Sequence, residues 1–404
     1  MHTKKDTMKH IFTIIITSLA LNTVRAQPVI SSGFVTGMAA INGTTYTHTG
    51  NIGLGNYQFV CASKNEPRFF ASSFTTQQLY FIDVATSAII DSMAVNLYDI
   101  TAMNENSTLF AVGDNDEMYR INTATKAIVD SANFPSIHML SERPGEKEIW
   151  GLADGKIYII DYTSGLSGTP LNMPVSSFDG LGARFTTGGS LAYLSSSVTN
   201  KLYKVDAATK TVIDSSAAMP VTPYTAEVSH DSSKVFVSSP NAFVIYIFNA
   251  ATMALTDSIN TGTREPFELY RHPSRQELWV VNHFKDSLTV YDENTGALIT
   301  AFDISSSPHF LAFASGATSV RNMVPGAEQI LVFPNPASET LNIVMADDKA
   351  RSLLLYDTYG RCIRRVDINT RQATFDISGL AKGTYFMAIL QDHRTIKTLT
   401  WTKE

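Results

Sequence analysis

Between residues 27 and 320 the chain has six histidines: His48, His138, His230, His272, His283 and His309. An imidazole can exchange a proton near neutral pH or ligate a metal through a ring nitrogen. Glu227, Glu268 and Arg264 lie near several of them in the sequence and add carboxylate and guanidinium groups. Gathered at one point, such groups could hold a divalent cation or run general acid–base chemistry. The surroundings of the histidines do not repeat. His138 precedes MLSE, His230 precedes DSS and His272 precedes PSR. No HExxH, GxSxG, phosphate loop, EF-hand loop or cysteine-based zinc spacing occurs. The ligand-facing candidates are His138, Glu227, His230, Arg264, Glu268, His272 and His309, because each falls in or near the early strands of a repeating unit. No catalytic residue and no cofactor is assigned, and the reading leans away from an enzyme. A central divalent metal is the alternative.

The unit that must position these residues is visible as a recurring hairpin. LYFIDVATSAIID from Leu79 returns from Met118, Ile157, Leu202, Ile245 and Leu288, at spacings of 39, 39, 45, 43 and 43 residues. Each copy ends its first strand on Asp83, Asn122, Asp161, Asp206, Asn249 or Asp292, and a Thr or Ser follows closely. Asp and Asn accept hydrogen bonds from backbone amides just ahead and close tight turns. Six repetitions assign these residues to turns and not to catalysis. A second strand pair precedes each hairpin, as in FELYRHPSRQELWVVNH from Phe267. Four short strands per unit is the pattern of a propeller blade. The segments Gly33–Gly50 and Ser307–Gly316 each look like part of a blade, so the two ends pair to make a seventh. Residues 27–320 then average 42 per blade. Trp150 and Trp279, with Phe70, Phe110, Tyr193 and Phe236 at matching points, read as inter-blade packing.

The blades resemble the YVTN/NHL-type seven-bladed propellers, also described as surface-layer-like or YncE-like. RHPSRQELWVVNHFKDSLTVYDENTGALI carries the likeness best, with WVVNH at Trp279–His283 and YDENTG at Tyr291–Gly296. FAVGD at Phe110 and FVSSP at Phe236 depart from the pattern. The resemblance implies architecture more than activity.

Both termini read as addresses. Residues 1–26 combine Lys4, Lys5 and Lys9 with an apolar run from Ile11 to Leu21 and a small-residue cleavage pattern, Val24 and Ala26. This is the signature of a secretory signal peptide. No later stretch is long and apolar enough to span a bilayer. Residues 321–329 read as linker, and 330–404 as a separate all-β module. That module is similar to the type A C-terminal sorting domain of the type IX secretion system of Bacteroidota. The matching elements are VFPNP at Val332–Pro336, LNI at Leu341–Ile343, LYDTYGR at Leu355–Arg361 and DISGLAKGTYFMAI at Asp376–Ile389. IKTL at Ile396–Leu399 follows them. Pro334, Asn335, Pro336, Gly360, Gly379, Leu380, Gly383 and Tyr385 are taken as the sorting signal. The resemblance implies a β-sandwich and partnership with the Sec translocon and type IX machinery. It also implies secretion or outer-membrane surface attachment through the periplasm.

Charge supports this division. The chain is 17% charged, with a net charge of −6. Residues 27–321 hold 17 Lys/Arg against 27 Asp/Glu, a net of −10, which disfavours nucleic acid and other anionic polymers. Cys61 and Cys362 fall in different modules, which argues against a disulfide. The fold class is therefore all-β, a seven-bladed propeller followed by a small β-sandwich. The function read from it is an exported binding or scaffold module for a protein or glycan ligand at the propeller face. The alternatives are a metal-dependent hydrolase or lyase in the central channel, and a surface-layer component.

Overall fold

The computed structural model describes residues 27–33, 37–53, 56–102, 107–173, 182–304, 307–314, 330–333, 337–345, 351–357, 361–370, 372–391 and 394–404. The expected signal segment 1–26, the linker 321–329, and Pro334, Asn335, Pro336 and Gly360 lie outside these residues.

From Pro28 to Phe313 the described residues form seven four-stranded antiparallel sheets, here I to VII. The innermost strands are Pro308–Phe313, Phe59–Ala62, Leu97–Ala102, Met139–Glu142, Arg184–Phe185, Ala226–Val228 and Leu269–Arg271. Sheet I joins the two ends of this region, because Pro308–Phe313 pairs with Pro28–Gly33 before Met38–Asn42 and Thr47–Ile52 complete it. Val29 lies opposite Phe313, and Ile30 opposite Ala312.

Local turn chemistry sets the outer hairpins. Asp83 Oδ1 accepts from the Thr86 N–H at 2.8 Å, and Asp292 Oδ1 from the Thr295 N–H at 2.8 Å. Asn122, Asp161, Asp206 and Asn249 accept in the same way from Thr125, Thr163, Thr209 and Thr252. The backbone N–H of Thr295 holds the Asp292 carboxylate below its usual range. A seventh copy, not read from the sequence, is Asn42, whose Oδ1 accepts from Thr44 and Thr45. Gly296 ends its turn at φ +70°, a conformation that glycine adopts without strain, and the strand pairing shifts just beyond it.

Both faces of every sheet are apolar, so each face needs a neighbour. Seven buried clusters provide one, each shared by two consecutive sheets. Trp150 packs with Phe185 and Leu194 between sheets IV and V. Trp279, Val281 and Leu288 of sheet VII meet Val29, Ala39 and Ile41 of sheet I, which closes the ring. The protein is an all-β propeller.

A second compact unit spans Arg321–Glu404. A three-stranded sheet (Ile330–Phe333, Thr340–Met345, Gln372–Asp376) and a four-stranded sheet (Cys362–Ile368, Arg351–Tyr356, Gly383–Gln391, Arg394–Lys403) make a small β-sandwich. Its core holds Leu341, Ile343, Leu353, Met387 and Trp401. Gly379 and Leu380 lie in the turn before Gly383, and Leu380 packs on that core. Tyr385 stacks on Trp401 at 5.0 Å and donates to the Ala381 carbonyl at 2.7 Å.

The Trp279 side chain is fully buried at the I–VII junction, and its indole donates to Glu277 Oε2 at 2.9 Å. Trp279→Ala should lower the unfolding free energy by about 3–5 kcal/mol, the cost of a large cavity in a close-packed core. Urea unfolding checks this as a lower midpoint at unchanged slope. A loss under about 1 kcal/mol would mean that the junction does not hold the ring.

Candidate functional site

Cross-strand partners in a sheet share a face. The third residue of each second strand in sheets II to VII is large: Phe70, Phe110, Trp150, Tyr193, Phe236 and Trp279. All are buried against the following sheet. Their inner-strand partners are Cys61, Thr101, Ser141, Arg184, Glu227 and Tyr270. Asp99 sits two residues before Thr101 on its inner strand, and Glu268 two residues before Tyr270, just ahead of the strand Leu269–Arg271. The repeat thus delivers polar side chains to matching levels of the channel wall, whatever their type.

Four of these strands supply one electrostatic cluster. Arg184 Nε lies 3.7 Å from Glu227 Oε2, and the guanidinium stands over the Tyr270 ring, 5.8 Å from its centroid. Its charge also acts on Asp99 and Glu268. These residues belong to sheets III, V, VI and VII, so they meet only by reaching across the channel. Asp99 accepts from the Leu140 and Ile100 N–H groups, each at 2.7 Å. Burial still pushes its carboxyl up to about 7, against those bonds and Arg184. Glu268 is 1% exposed, and neither carboxyl oxygen meets a partner of good hydrogen-bond geometry. Burial pushes it up to about 8, while Arg184, Thr225 and Tyr224 pull the other way. One guanidinium cannot balance three carboxylates in a desolvated space, so this group holds protons. A carboxyl kept neutral can donate a hydrogen bond, but Glu268 is closed off from any substrate by its burial.

The sequence-derived candidates divide into three groups. Glu227 and Glu268 join the mid-channel cluster; Arg184, Asp99 and Tyr270 complete it and were not read from the sequence. His230 and His272 lie in first-to-second-strand turns at one end of the channel. The His272 Nδ1 accepts from the Ser274 and Arg275 N–H groups at 3.1 and 3.0 Å, and burial followed by Arg275 brings its imidazole down to about 4. His230 contacts Glu293 Oε2 and the His272 carbonyl, both at 2.7 Å, and clasps sheet VI to sheet VII. These two histidines are engaged in structural bonds. His138, Arg264 and His309 lie at the other end, where the chain enters the inner strands. His138 Nδ1 contacts the Ser136 carbonyl at 3.1 Å, and Arg264 is half-buried in the loop before Phe267. The His309 ring stands 4.5 Å from that of His283, and burial, then His283, holds it down to about 4. Among the described residues no group of three or more His, Cys, Asp or Glu is arranged to hold a metal ion.

Fold and C-terminal module together define an exported β-propeller. Residues 331–400 match the family described as the secretion system C-terminal sorting domain. That module is a type IX sorting domain, and it directs the chain through the periplasm to the cell surface or the medium. Among the described residues no helix is long and apolar enough to cross a membrane. Comparison with curated proteins finds no match. Among solved structures, the chain resembles a functionally unknown protein from Desulfotomaculum acetoxidans DSM 771, at 13% identity and TM-score 0.61, over 72% of this chain and 99% of that one. It also resembles the Cps50 (Swd1) β-propeller domain of Myceliophteria thermophila, at 10% identity and TM-score 0.54, over 74% and 95%. A third is the dihydro-heme d1 dehydrogenase NirN solved with DHE, at 10% identity and TM-score 0.53, over 87% and 75%. At such identities the likeness is one of fold.

The raised Glu268 carboxyl makes stability depend on pH. The folded protein keeps a proton that the unfolded chain releases near 4.5. The stability this gives is fully present below pH 4.5 and is lost as pH rises to about 8. Glu268→Gln cannot titrate, so its melting temperature should gain on the parent steadily between pH 5 and pH 8. His272 and His309 act in the opposite direction, from about 4 to 6.5, and equally in both proteins. Parallel melting curves across that range would contradict the assignment.

Proposed function

We propose that the mature chain is a binding module, displayed on or released from the cell surface, and not an enzyme. The observation that carries this reading is the packed channel. Glu268, Asp99 and Glu227 are 1%, 7% and 8% exposed, and Phe59 and Phe310, on the inner strands of sheets II and I, stack at 4.5 Å. A hydrolase or lyase would need an open, water-filled channel with ligands free to turn towards a metal. Here His230 and His272 are held by other bonds. Recognition then falls to the loops that the rigid ring presents.

One observation favours lateral assembly as a second reading. The outermost strands expose Ile90, Val129, Ile213, Leu255 and Leu298, at 47% to 56%. Each of the first four is followed closely by an acid, Asp91, Asp130, Asp214 or Asp257. The pairing of these strands is also irregular near those acids. Charges and bulges on edge strands hinder edge-to-edge pairing, so the flanks are better suited to solvent.

Two tests follow. Removing residues 331–404 should trap the propeller in the periplasm, as read by fractionation and immunoblotting; surface display of the truncated chain would remove the sorting role. Labelled mature protein, returned to cells lacking it, should bind saturably and equally well with EDTA. EDTA-sensitive turnover of ester, lactone or glycoside substrates would instead favour the enzyme.

A further inference from the structure

The inner strands begin at one end of the ring in a fixed register. The backbone N–H groups of Gln58, His138, Tyr224 and Phe267 each donate to the carbonyl of the fifth residue of the second strand, namely Ser72, Leu152, Ser238 and Val281. Tyr98 and His309 occupy the corresponding step of sheets III and I. The equivalent residue of sheet V lies outside the described residues. Five of these six positions carry a planar ring, and none of the five is fully buried. The mouth is therefore rimmed by rings from five of the seven sheets (I, III, IV, VI and VII), at a step set by the repeat itself.

The second-to-third-strand turns emerge at the same end and extend the platforms. Phe74, 40% exposed, lies 5.4 Å from Tyr98, which is 43% exposed. Phe284, 67% exposed, lies 5.2 Å from Phe267, and Phe267 lies 5.3 Å from Tyr224. Beneath Phe267 the next residue is Glu268, buried and with both carboxyl oxygens lacking a partner of good geometry. Tyr224 and Thr225 act on that carboxyl, so the group beneath is closed to a ligand and the exposed rings are what the mouth offers.

Resting on the binding reading above, we propose that this mouth recognises a neutral saccharide chain, its pyranose faces stacked on Tyr98, Tyr224, Phe267 and Phe284. A pyranose presents a C–H face and a rim of hydroxyls, which suits spaced rings with polar groups between them. Gln58 and His138 supply polar groups at the same level. The net charge of −10 over residues 27–321 repels acidic polymers. The Arg184 cation and the protonated carboxyls below offer no compensating positive surface or anionic cage. An apolar peptide would prefer one continuous groove, whereas these rings fall into two clusters, Phe74 with Tyr98 from sheets II and III, and Tyr224 with Phe267 and Phe284 from sheets VI and VII.

The test uses the mature full chain and a panel of neutral hexasaccharides (β-1,4- and β-1,3-glucans, mannan and chitin fragments), with oligogalacturonate as the anionic comparison. Calorimetry should detect at least one neutral binder and no oligogalacturonate binding. Phe267→Ala combined with Phe284→Ala should weaken it at least tenfold, as should Tyr98→Ala alone. Ile90→Ala, on the flank, should leave it unchanged. Melting temperatures identify any variant that fails to fold, and the exposed Phe284→Ala and Tyr98→Ala then stand in. Binding that ignores the rim variants, or a rim that takes apolar peptides and no saccharide, would overturn the proposal. If no saccharide binds while cells still retain the protein, the saccharide class fails and the binding reading stands. If cells do not retain it, the binding reading itself fails.

Discussion

A four-stranded sheet with two apolar faces cannot stand alone in water, because each face must be covered. This chain meets that constraint seven times by placing every sheet between two others. A linear stack would leave two outer faces bare. Pairing Pro308–Phe313 with Pro28–Gly33 removes them, because the last sheet then packs on the first. The low charge fraction of the sequence follows from this, since sheets packed face to face leave mainly turns and outer strands for polar residues.

The ring also dictates what its centre can be. Seven inner strands converge there, and Asp99, Glu227 and Glu268 are buried on or just ahead of them. Charges that enter lose water, and they persist only where they compensate one another. Arg184 stands at that balance, reaching Glu227 and Tyr270 while Asp99 and Glu268 hold protons around it. On the proposed binding reading, recognition falls to the mouth, where the strands begin and their first side chains are still in contact with solvent.

The repeat and its turns were legible because they are local. Asp83 or Asp292 closes its turn with amides two or three residues away, and the residue type announces it. The seventh turn at Asn42 escaped because its sheet borrows a strand from the far end of the propeller, so no whole unit precedes it. The matching positions of Trp150 and Trp279 were legible as packing, since their spacing follows the repeat. The mid-channel cluster was not. Asp99 and Arg184 are 85 positions apart in sequence, on inner strands too short and irregular to align by eye. Their meeting depends on pairing register and on a closed ring. Histidines selected for their chemistry fell at both ends of the channel, because residue type alone carries no register.

The central claim is that recognition occurs at the channel mouth of a closed, packed ring. Hydrogen–deuterium exchange of the mature protein, alone and saturated with the neutral hexasaccharide that binds it most tightly in calorimetry, tests this most directly. The account predicts added protection confined to residues 96–98, 222–224, 265–268, 283–285 and 307–309. It also predicts slow exchange of the paired Pro28–Gly33 and Pro308–Phe313 strands in both states. Protection centred instead on the turns around His230 and His272, or rapid exchange of the closing strands, would contradict it.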